Sequence, residues 1–297
     1  MAIILGDDQY GKAETRLVRF VRDQPRHEIR DLNVTTALRG PFAAAYLTGD
    51  QSDILPTDTQ KNTAYAFAKK FGVTSPEAFG LLLARHFVHD VEPVEGARIE
   101  IEEYSWDRAV VDGVEHGHAW VRNGSEVRTA AVTVDATGEY VISGLKEWVL
   151  LKSTGSEFAG YLVDEYTTLQ ETHDRVMATS LTAKWRFGSV DVSWDEVYPR
   201  VKEIMVREFA SLQSLALQQT LWHMGTAVLE AFPEIVEIKL VAPNKHHFVV
   251  DLSPFGLENS NEVFHADDRP YGLIEATIVR DDAPAANDAW KFSAGLA

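Results

Sequence analysis

The side chains able to do chemistry are scattered along this 297-residue chain. Asn244-Lys245-His246-His247-Phe248 places an amide and two imidazoles between two strand-like runs. In an extended segment Asn244 and His246 share one face and His247 takes the other. A polar pair on an inward face is costly unless it serves a pocket. The plainer reading is a histidine hydrogen-bonded at a strand end. Thr57-Asp58, after Pro56, opens a helix. Asp58 alone reads as an N-cap, whereas the free N–H groups and dipole of that helix start can hold an anion. Ser214-Leu215-Ala216-Leu217-Gln218 opens a later helix and offers a second set of such donors. Arg175 can fork onto a planar anion. Phe158 can stack on a flat ring, although an aromatic more often fills a core. Lys12, after Tyr10-Gly11, reads in isolation as a surface lysine. His116-Gly117-His118 puts two imidazoles on one strand face, but without cysteine or a matched third ligand a metal site is not expected. His86 and His89 read as partly buried histidines. No G-x-S-x-G, Walker A or G-x-G-x-x-G sequence stands in a suitable context.

Composition narrows the classes. With 45% hydrophobic and 25% charged residues the chain reads as a soluble globular protein. No apolar run approaches the roughly 18 residues that cross a bilayer. The opening Met1-Ala2-Ile3-Ile4-Leu5-Gly6 lacks the basic start of a signal peptide. A net charge of −17 argues against a nucleic-acid or anionic-membrane surface, so no partner of either kind is expected. A small anion would need a pocket that gathers positive charge locally. The chain has no cysteine, which removes disulfides and thiolate chemistry and fits a reducing, cytoplasmic compartment.

These residues need elements to position them, and two periods are legible. Ile99 and Ile101 alternate with Arg98, Glu100 and Glu102, and Val190, Val192 and Trp194 alternate with Ser189, Asp191 and Ser193. Residues 126–135 and 234–241 behave likewise, which predicts antiparallel sheet. Helical stripes are Phe79-Leu82-Leu83-Phe87 behind a Ser75-Pro76 start, Val201-Ile204-Met205-Phe209-Leu212, and Leu217-Leu221-Met224-Val228. A fourth, Ala64-Phe67-Ala68-Phe71, begins near Asp58. Strands at about 13–23 and 27–48, helices at about 58–72 and 76–91, and strands at about 97–111 and 116–123 form one run. Strands at about 126–152 and 183–194, helices at about 195–213 and 215–231, and strands at about 234–241 and 246–252 form a second. The prediction is an α+β protein of two ββααββ units, residues 1–136 and 137–297. The second unit carries an ordered insertion at 154–182 and a mobile tail from Asp281 to Asp288. Long open edges invite strand pairing between subunits, so an oligomer is expected.

Several separated blocks also resemble one family. Tyr10-Gly11-Lys12, Thr57-Asp58-Thr59-Gln60-Lys61-Asn62-Thr63, Leu151-Lys152-Ser153-Thr154 with Phe158, and Asp164 to Leu169 are similar to urate oxidases (uricases). So are Glu171 to Arg175, Gln218-Gln219-Thr220 and Pro243-Asn244-Lys245-His246, all in order from about residue 9 to 280. The resemblance implies the tunnelling fold, with antiparallel sheets closing into a β-barrel and helices outside, in a homotetramer with sites shared between subunits. It implies oxidation of urate by O₂ and water to 5-hydroxyisourate and hydrogen peroxide with no metal or organic cofactor. By the same resemblance, Arg175 and Gln218 clamp the purine, Phe158 stacks on it, and the Leu217 backbone with the Thr57-Asp58 helix start holds its polar edge. Lys12, Thr57 and His246 form a proton relay, and Asn244 holds water or O₂ above the ring. Rival readings are another tunnelling-fold enzyme acting on a purine or pterin ring, some of which use zinc, or a urate-binding protein without turnover. Two departures stand out. The chain ends Gly295-Leu296-Ala297 rather than in the Ser-Lys-Leu of peroxisomal members, which again suggests the cytoplasm. The small Ala159 follows Phe158 where a bulkier wall residue would be expected.

Overall fold

The structure, a computed structural model, describes residues 2–291. The Gly295-Leu296-Ala297 ending lies outside the described residues. The strands are β1 (Tyr10–Val21), β2 (Glu28–Arg39), β3 (Gly96–Val111), β4 (Val114–Asp135), β5 (Gly138–Lys152), β6 (Met177–Phe187), β7 (Ile235–Val249) and β8 (Phe264–Val279). Between β2 and β3 lie α1 (Ala43–Thr48), α2 (Thr57–Phe71) and α3 (Pro76–Asp90). Between β6 and β7 lie α4 (Trp194–Ser211) and α5 (Leu217–Ala231).

All eight strands form one antiparallel sheet in chain order, open within the chain, with β1 and β8 as its edges. The period-two pattern explains its sidedness. Ile99 and Ile101 are buried towards the helices, whereas Glu100 and Glu102 line a cavity of about 370 Å³ on the other face, with Asn33, Thr35, Lys146 and Lys184. α3 packs on β3 and β4, and α5 on β7 and β8, so one hydrophobic cluster runs from Leu32 and Val34 through Trp185 to Ile238 and Leu240. Ser75 caps α3 by accepting from the Ala78 N–H at 3.0 Å, with Pro76 as the first helical residue. Three expected stripes are buried at Phe79, Leu83 and Phe87, at Val201, Ile204, Met205 and Phe209, and at Leu217, Leu221, Met224 and Val228.

Several expectations are corrected. The strand expected over 27–48 stops at Arg39, and α1 follows. The break expected near 123–126 is absent: β4 runs through it and turns only at residues 136–137. Val190, Val192 and Trp194 alternate in a non-strand approach to α4, while β6 begins at Met177, inside the expected insertion. The strand expected at 246–252 is the end of β7, and β8 lies further on. Phe71 is half exposed, edge-on to Phe67 at 5.1 Å, rather than inward. The tail from Asp281 to Asp288 is held, not loose. Arg186 donates to the Pro284 carbonyl at 2.9 Å, and Asp288 pairs with Arg39. Buried Arg98 donates to the Ala289 carbonyl at 2.7 Å, and the Trp290 indole N–H to Glu237 at 3.0 Å. Three buried or half-buried arginines satisfy the carbonyls and carboxylate of a segment whose own sequence is short of apolar anchors.

A charged cluster crosses between the helix layer and the sheet. Glu77, fully buried in the first turn of α3, accepts from Arg128 at 2.8 Å and from the Ser143 hydroxyl at 2.5 Å. Arg128 also bonds Asp195 of α4 at 2.7 Å. Burial pushes the Glu77 carboxyl above its ordinary range, opposed by the Arg128 charge. Removing one partner leaves the other charge uncompensated. Arg128→Met is therefore expected to cost about 3–5 kcal/mol, and Glu77→Leu added to it should recover part of that loss. Thermal unfolding of both variants at one protein concentration checks this; a double variant less stable than Arg128→Met contradicts it.

Candidate active site

Two groups of residues emerge from the nine singled out in the sequence. The first gathers around a cavity of about 440 Å³ lined by Phe158, Arg175, Leu217, Gln218, Asn244 and His246. Leu169, Val176, His247, Phe248 and Ile274 complete its wall.

The irregular stretch between β5 and β6 is held by main-chain bonds. Phe158 and Thr172 exchange N–H···O bonds at 2.8 and 3.0 Å, and the Arg175 N–H donates to the Ser156 carbonyl at 2.9 Å. Ser156 is in turn bridged to Ser214, whose N–H donates to the Gly155 carbonyl and whose carbonyl accepts from the Glu157 N–H, both at 2.9 Å. Ser156, Ser214 and Thr220 are fully buried. The Ser214 and Thr220 hydroxyls share a hydrogen bond at 2.7 Å, and Ser214 also donates to the Ala216 carbonyl at 3.0 Å. These bonds set the start of α5 beside Arg175. No side chain caps α5 at Ala216, so the first-turn N–H groups beginning at Leu217 remain available to a ligand.

Arg175 is half-buried, its guanidinium carbon 5.2 Å from the Phe158 ring centroid and its Nε 3.4 Å from the Ser156 hydroxyl. Burial lowers its affinity for its proton. A guanidinium in that position beside an uncapped helix start makes a local anion site within an acidic protein.

Asn244 and His246 lie on β7, as extended residues. Their alternation with His247 is not clean, since His247 lines the same cavity. Beside these residues Asn244 pairs with Gly272 of β8 and His246 with Asp267, so the partner strand bulges over residues 268–271. The small Ala159 is absent from the cavity wall; Leu169, Val176, Phe248 and Ile274 were not singled out in the sequence. They carry no polar signal; the folded loop brings in Leu169 and Val176, whereas β7 supplies Phe248 and β8 Ile274.

The second group lies on the opposite side of the sheet. Lys12 is on edge strand β1, six strand positions from β7. At about 4.8 Å per strand this is about 29 Å along the sheet. Gly11 is required there, because a Cβ would stand 1.7 Å from the Thr36 carbonyl oxygen of β2. The Lys12 N–H donates to the Thr36 hydroxyl at 3.2 Å, and that hydroxyl donates to Gln60 of α2 at 2.6 Å. Tyr10 and Gln60 both donate to the Leu55 carbonyl, at 3.2 and 3.3 Å. This network ties Lys12 to the start of α2, where Thr57 is the first helical residue and no side chain caps the N–H groups. Asp58 is exposed and bonded to Lys61 and Asn62. The Lys61 hydrogen bond and charge, with a smaller effect of Lys12, hold its carboxyl below the usual range. Lys12, Thr57 and Asp58 are not part of the cavity wall. Among the described residues no group of three or more His, Cys, Asp or Glu is arranged to hold a metal ion, and His116 and His118 meet edge to face with centroids 4.4 Å apart.

The molecule thus combines an antiparallel sheet of this order, two helix pairs on one face, and a cavity with an arginine at a helix start. The uricase family model matches residues 8–133 and 141–275. The chain is 51% identical over 294 residues to a uricase of Arthrobacter globiformis, covering 99% of this chain and 96% of that protein. It is 36% identical over 277 residues to a uricase of Danio rerio, covering 91% and 93%. The crystal structure of the Arthrobacter globiformis uricase superposes with a TM-score of 0.93 at 51% identity, covering 98% and 99% of the two chains. The chain belongs to the uricase family. Among the described residues no helix is long and apolar enough to cross a membrane.

Ser214→Ala removes the hydroxyl that pairs with buried Thr220, whose other contact, the Ala216 carbonyl, is at 3.4 Å. A loss of about 1–3 kcal/mol is expected for the buried group left without a good partner. Unchanged thermal unfolding would show that this pair does not hold the α5 start.

Proposed function

We propose that this chain is a urate oxidase that converts urate, O₂ and water to 5-hydroxyisourate and hydrogen peroxide without a metal or organic cofactor. Family membership carries the reaction class. The cavity that gathers Phe158, Arg175, Leu217, Gln218, Asn244 and His246 supports the residue roles. Urate is anionic at neutral pH and planar. Arg175 and Gln218 clamp its edge, the α5 N–H groups beginning at Leu217 donate to its oxygens, and Phe158 stacks on its face. Two electrons leave the ring for O₂, which departs as hydrogen peroxide after taking up two protons, while water supplies the new hydroxyl. Electron loss is easier from a more deprotonated ring, so catalysis needs a group that removes a proton and returns it. Lys12, Thr57 and His246 form that relay, Asn244 holds O₂ or water above the ring, and the Thr57-Asp58 helix start holds the remaining polar edge.

The separation of the two groups supports a site made by two subunits. Lys12, Thr57 and Asp58 are near one edge of the sheet and the cavity near the other. Both edge strands are long, 12 residues in β1 and 16 in β8, and pairing them between copies covers both. Closure of such paired sheets into a barrel, in a homotetramer, follows from the same reading. So does the division into ββααββ units at 1–136 and 137–297, whose boundary coincides with the turn after β4. A cytoplasmic setting is supported by the cysteine-free composition.

Urate absorbance should fall in the presence of O₂ and hold without it, with one hydrogen peroxide formed per urate. The activity is expected to survive exhaustive chelation; loss of turnover restored by zinc, copper or iron would overturn the cofactor-free reading. The shared site is tested by co-refolding Thr57→Ala and Arg175→Ala chains, each nearly inactive alone, in equal amounts. Random pairing leaves about a quarter of composite sites intact, so roughly 25% of wild-type activity should return. If native mass spectrometry shows mixed tetramers and no activity returns, both groups act from one chain.

A further inference from the structure

The stretch between β5 and β6 contains an aromatic that does not touch the cavity yet governs one that does. The Tyr161 ring is stacked on Phe158, with centroids 4.8 Å apart and planes 17° from parallel. Its hydroxyl donates to the Leu169 carbonyl at 2.6 Å, and Leu169 is itself part of the cavity wall. Gly160, at φ 69°, lets the chain double back between the two rings, and its N–H donates to Glu171 at 2.7 Å. Glu171 is next to Thr172, whose main chain pairs with that of Phe158. Tyr161 is thus fixed at its hydroxyl and at the preceding residue, and its ring covers one face of Phe158.

We propose that Tyr161 is a positioning residue of the urate site, fixing the plane of the Phe158 platform and the depth of the Leu169 wall. The proposal rests on the reading of Phe158 as the stacking platform. A phenyl ring has two faces. With one occupied by Tyr161, a flat substrate can stack only on the other, and the platform does not lose rotational freedom when substrate arrives. This also accounts for the small residue at 159: the bulk that supports Phe158 comes from two positions further on. Because Tyr161 reaches the substrate only through Phe158 and Leu169, its effect falls on binding more than on the proton and electron steps.

The test compares Tyr161→Ala, Tyr161→Phe, Tyr161→Leu and Phe158→Ala by urate binding in the absence of O₂ and by steady-state kinetics in its presence. Tyr161→Ala is expected to raise the anaerobic Kd and KM by roughly three- to ten-fold, the size of an aromatic pair, with kcat within about twofold of wild type. Tyr161→Phe keeps the ring and should restore most of the affinity. Tyr161→Leu keeps bulk without a planar face and should not, which covers the case in which Tyr161→Ala fails to fold. Wild-type Kd in Tyr161→Ala or Tyr161→Leu, with weakened binding in Phe158→Ala, overturns the proposal alone. Wild-type Kd in Phe158→Ala overturns the platform reading beneath it. A fall in kcat with unchanged Kd in the Tyr161 variants also overturns it.

Discussion

When the strands of an antiparallel sheet follow one another in chain order, the first and last strands become its two edges. Here β1 and β8 hold those places, and the sheet does not close within the chain. Each edge presents backbone donors and acceptors that another strand can satisfy. The same arrangement sends the Lys12 network to one edge and the Arg175 cavity towards the other. In the proposed two-subunit site, solving the edge problem and completing the site are one act, because a copy that pairs with an edge brings its own chemistry there. An enzyme assembled in this way draws its relay and its clamp from separate rigid parts, each held by its own hydrogen bonds.

The electrostatics follow a similar division of labour. A chain of net charge −17 repels an anion at long range, yet several arginines are buried inside it. Arg98, Arg128 and Arg186 are each engaged by carboxylates, Glu100, Glu77 and Glu237 respectively, and serve packing. Arg175 differs. Its bonded partner is a serine hydroxyl, and its proton affinity is lowered by burial alone. Among these four arginines it is the one whose charge is not spent on a carboxylate, and it stands at an uncapped helix start. In the proposed site, selectivity for an anion resides in this short-range field, with salt and net charge acting mainly on the approach.

The regular elements were legible because their periods are strong. Leu217, Leu221, Met224 and Val228 cannot be read as anything but a buried helical face, and Ile99 and Ile101 alternate with charges on a half-wet strand. Errors arose where a local pattern had two physical causes. Val190, Val192 and Trp194 alternate because an extended approach to α4 leans partly on the core, without any strand partner. The break expected between the strands at 116–123 and 126–152 falls within β4, where Gly124 has φ 47° and the pairing with β3 shifts between Tyr104 and Trp106. Residues 281–288 look mobile because their anchors are arginines from strands far away in sequence. In the site, polar residues with strong local signals were identified, whereas Leu169, Phe248 and Ile274 could not be, since apolar wall residues are indistinguishable from core. Simple alternation predicts His247 on the other face of β7 from His246, yet both line the cavity.

The two halves of the proposed site are each ordered by their own hydrogen bonds. Phe158, Arg175 and the α5 start are fixed by main-chain bonds and by a pair of buried hydroxyls, so little conformational entropy remains to be lost there on binding. The Lys12 and Thr57 half is equally ordered within its own subunit through Thr36 and Gln60. On the proposed two-subunit reading, what binding cannot supply is the relation between the halves, which only an interface can hold. A well-ordered site divided between two chains transfers the cost of its final alignment from substrate binding to subunit association. That cost is met once, during assembly, and every turnover afterwards starts from an aligned site. Stability of the assembly and competence of the site then rise and fall together, because dissociation separates groups that remain individually well formed.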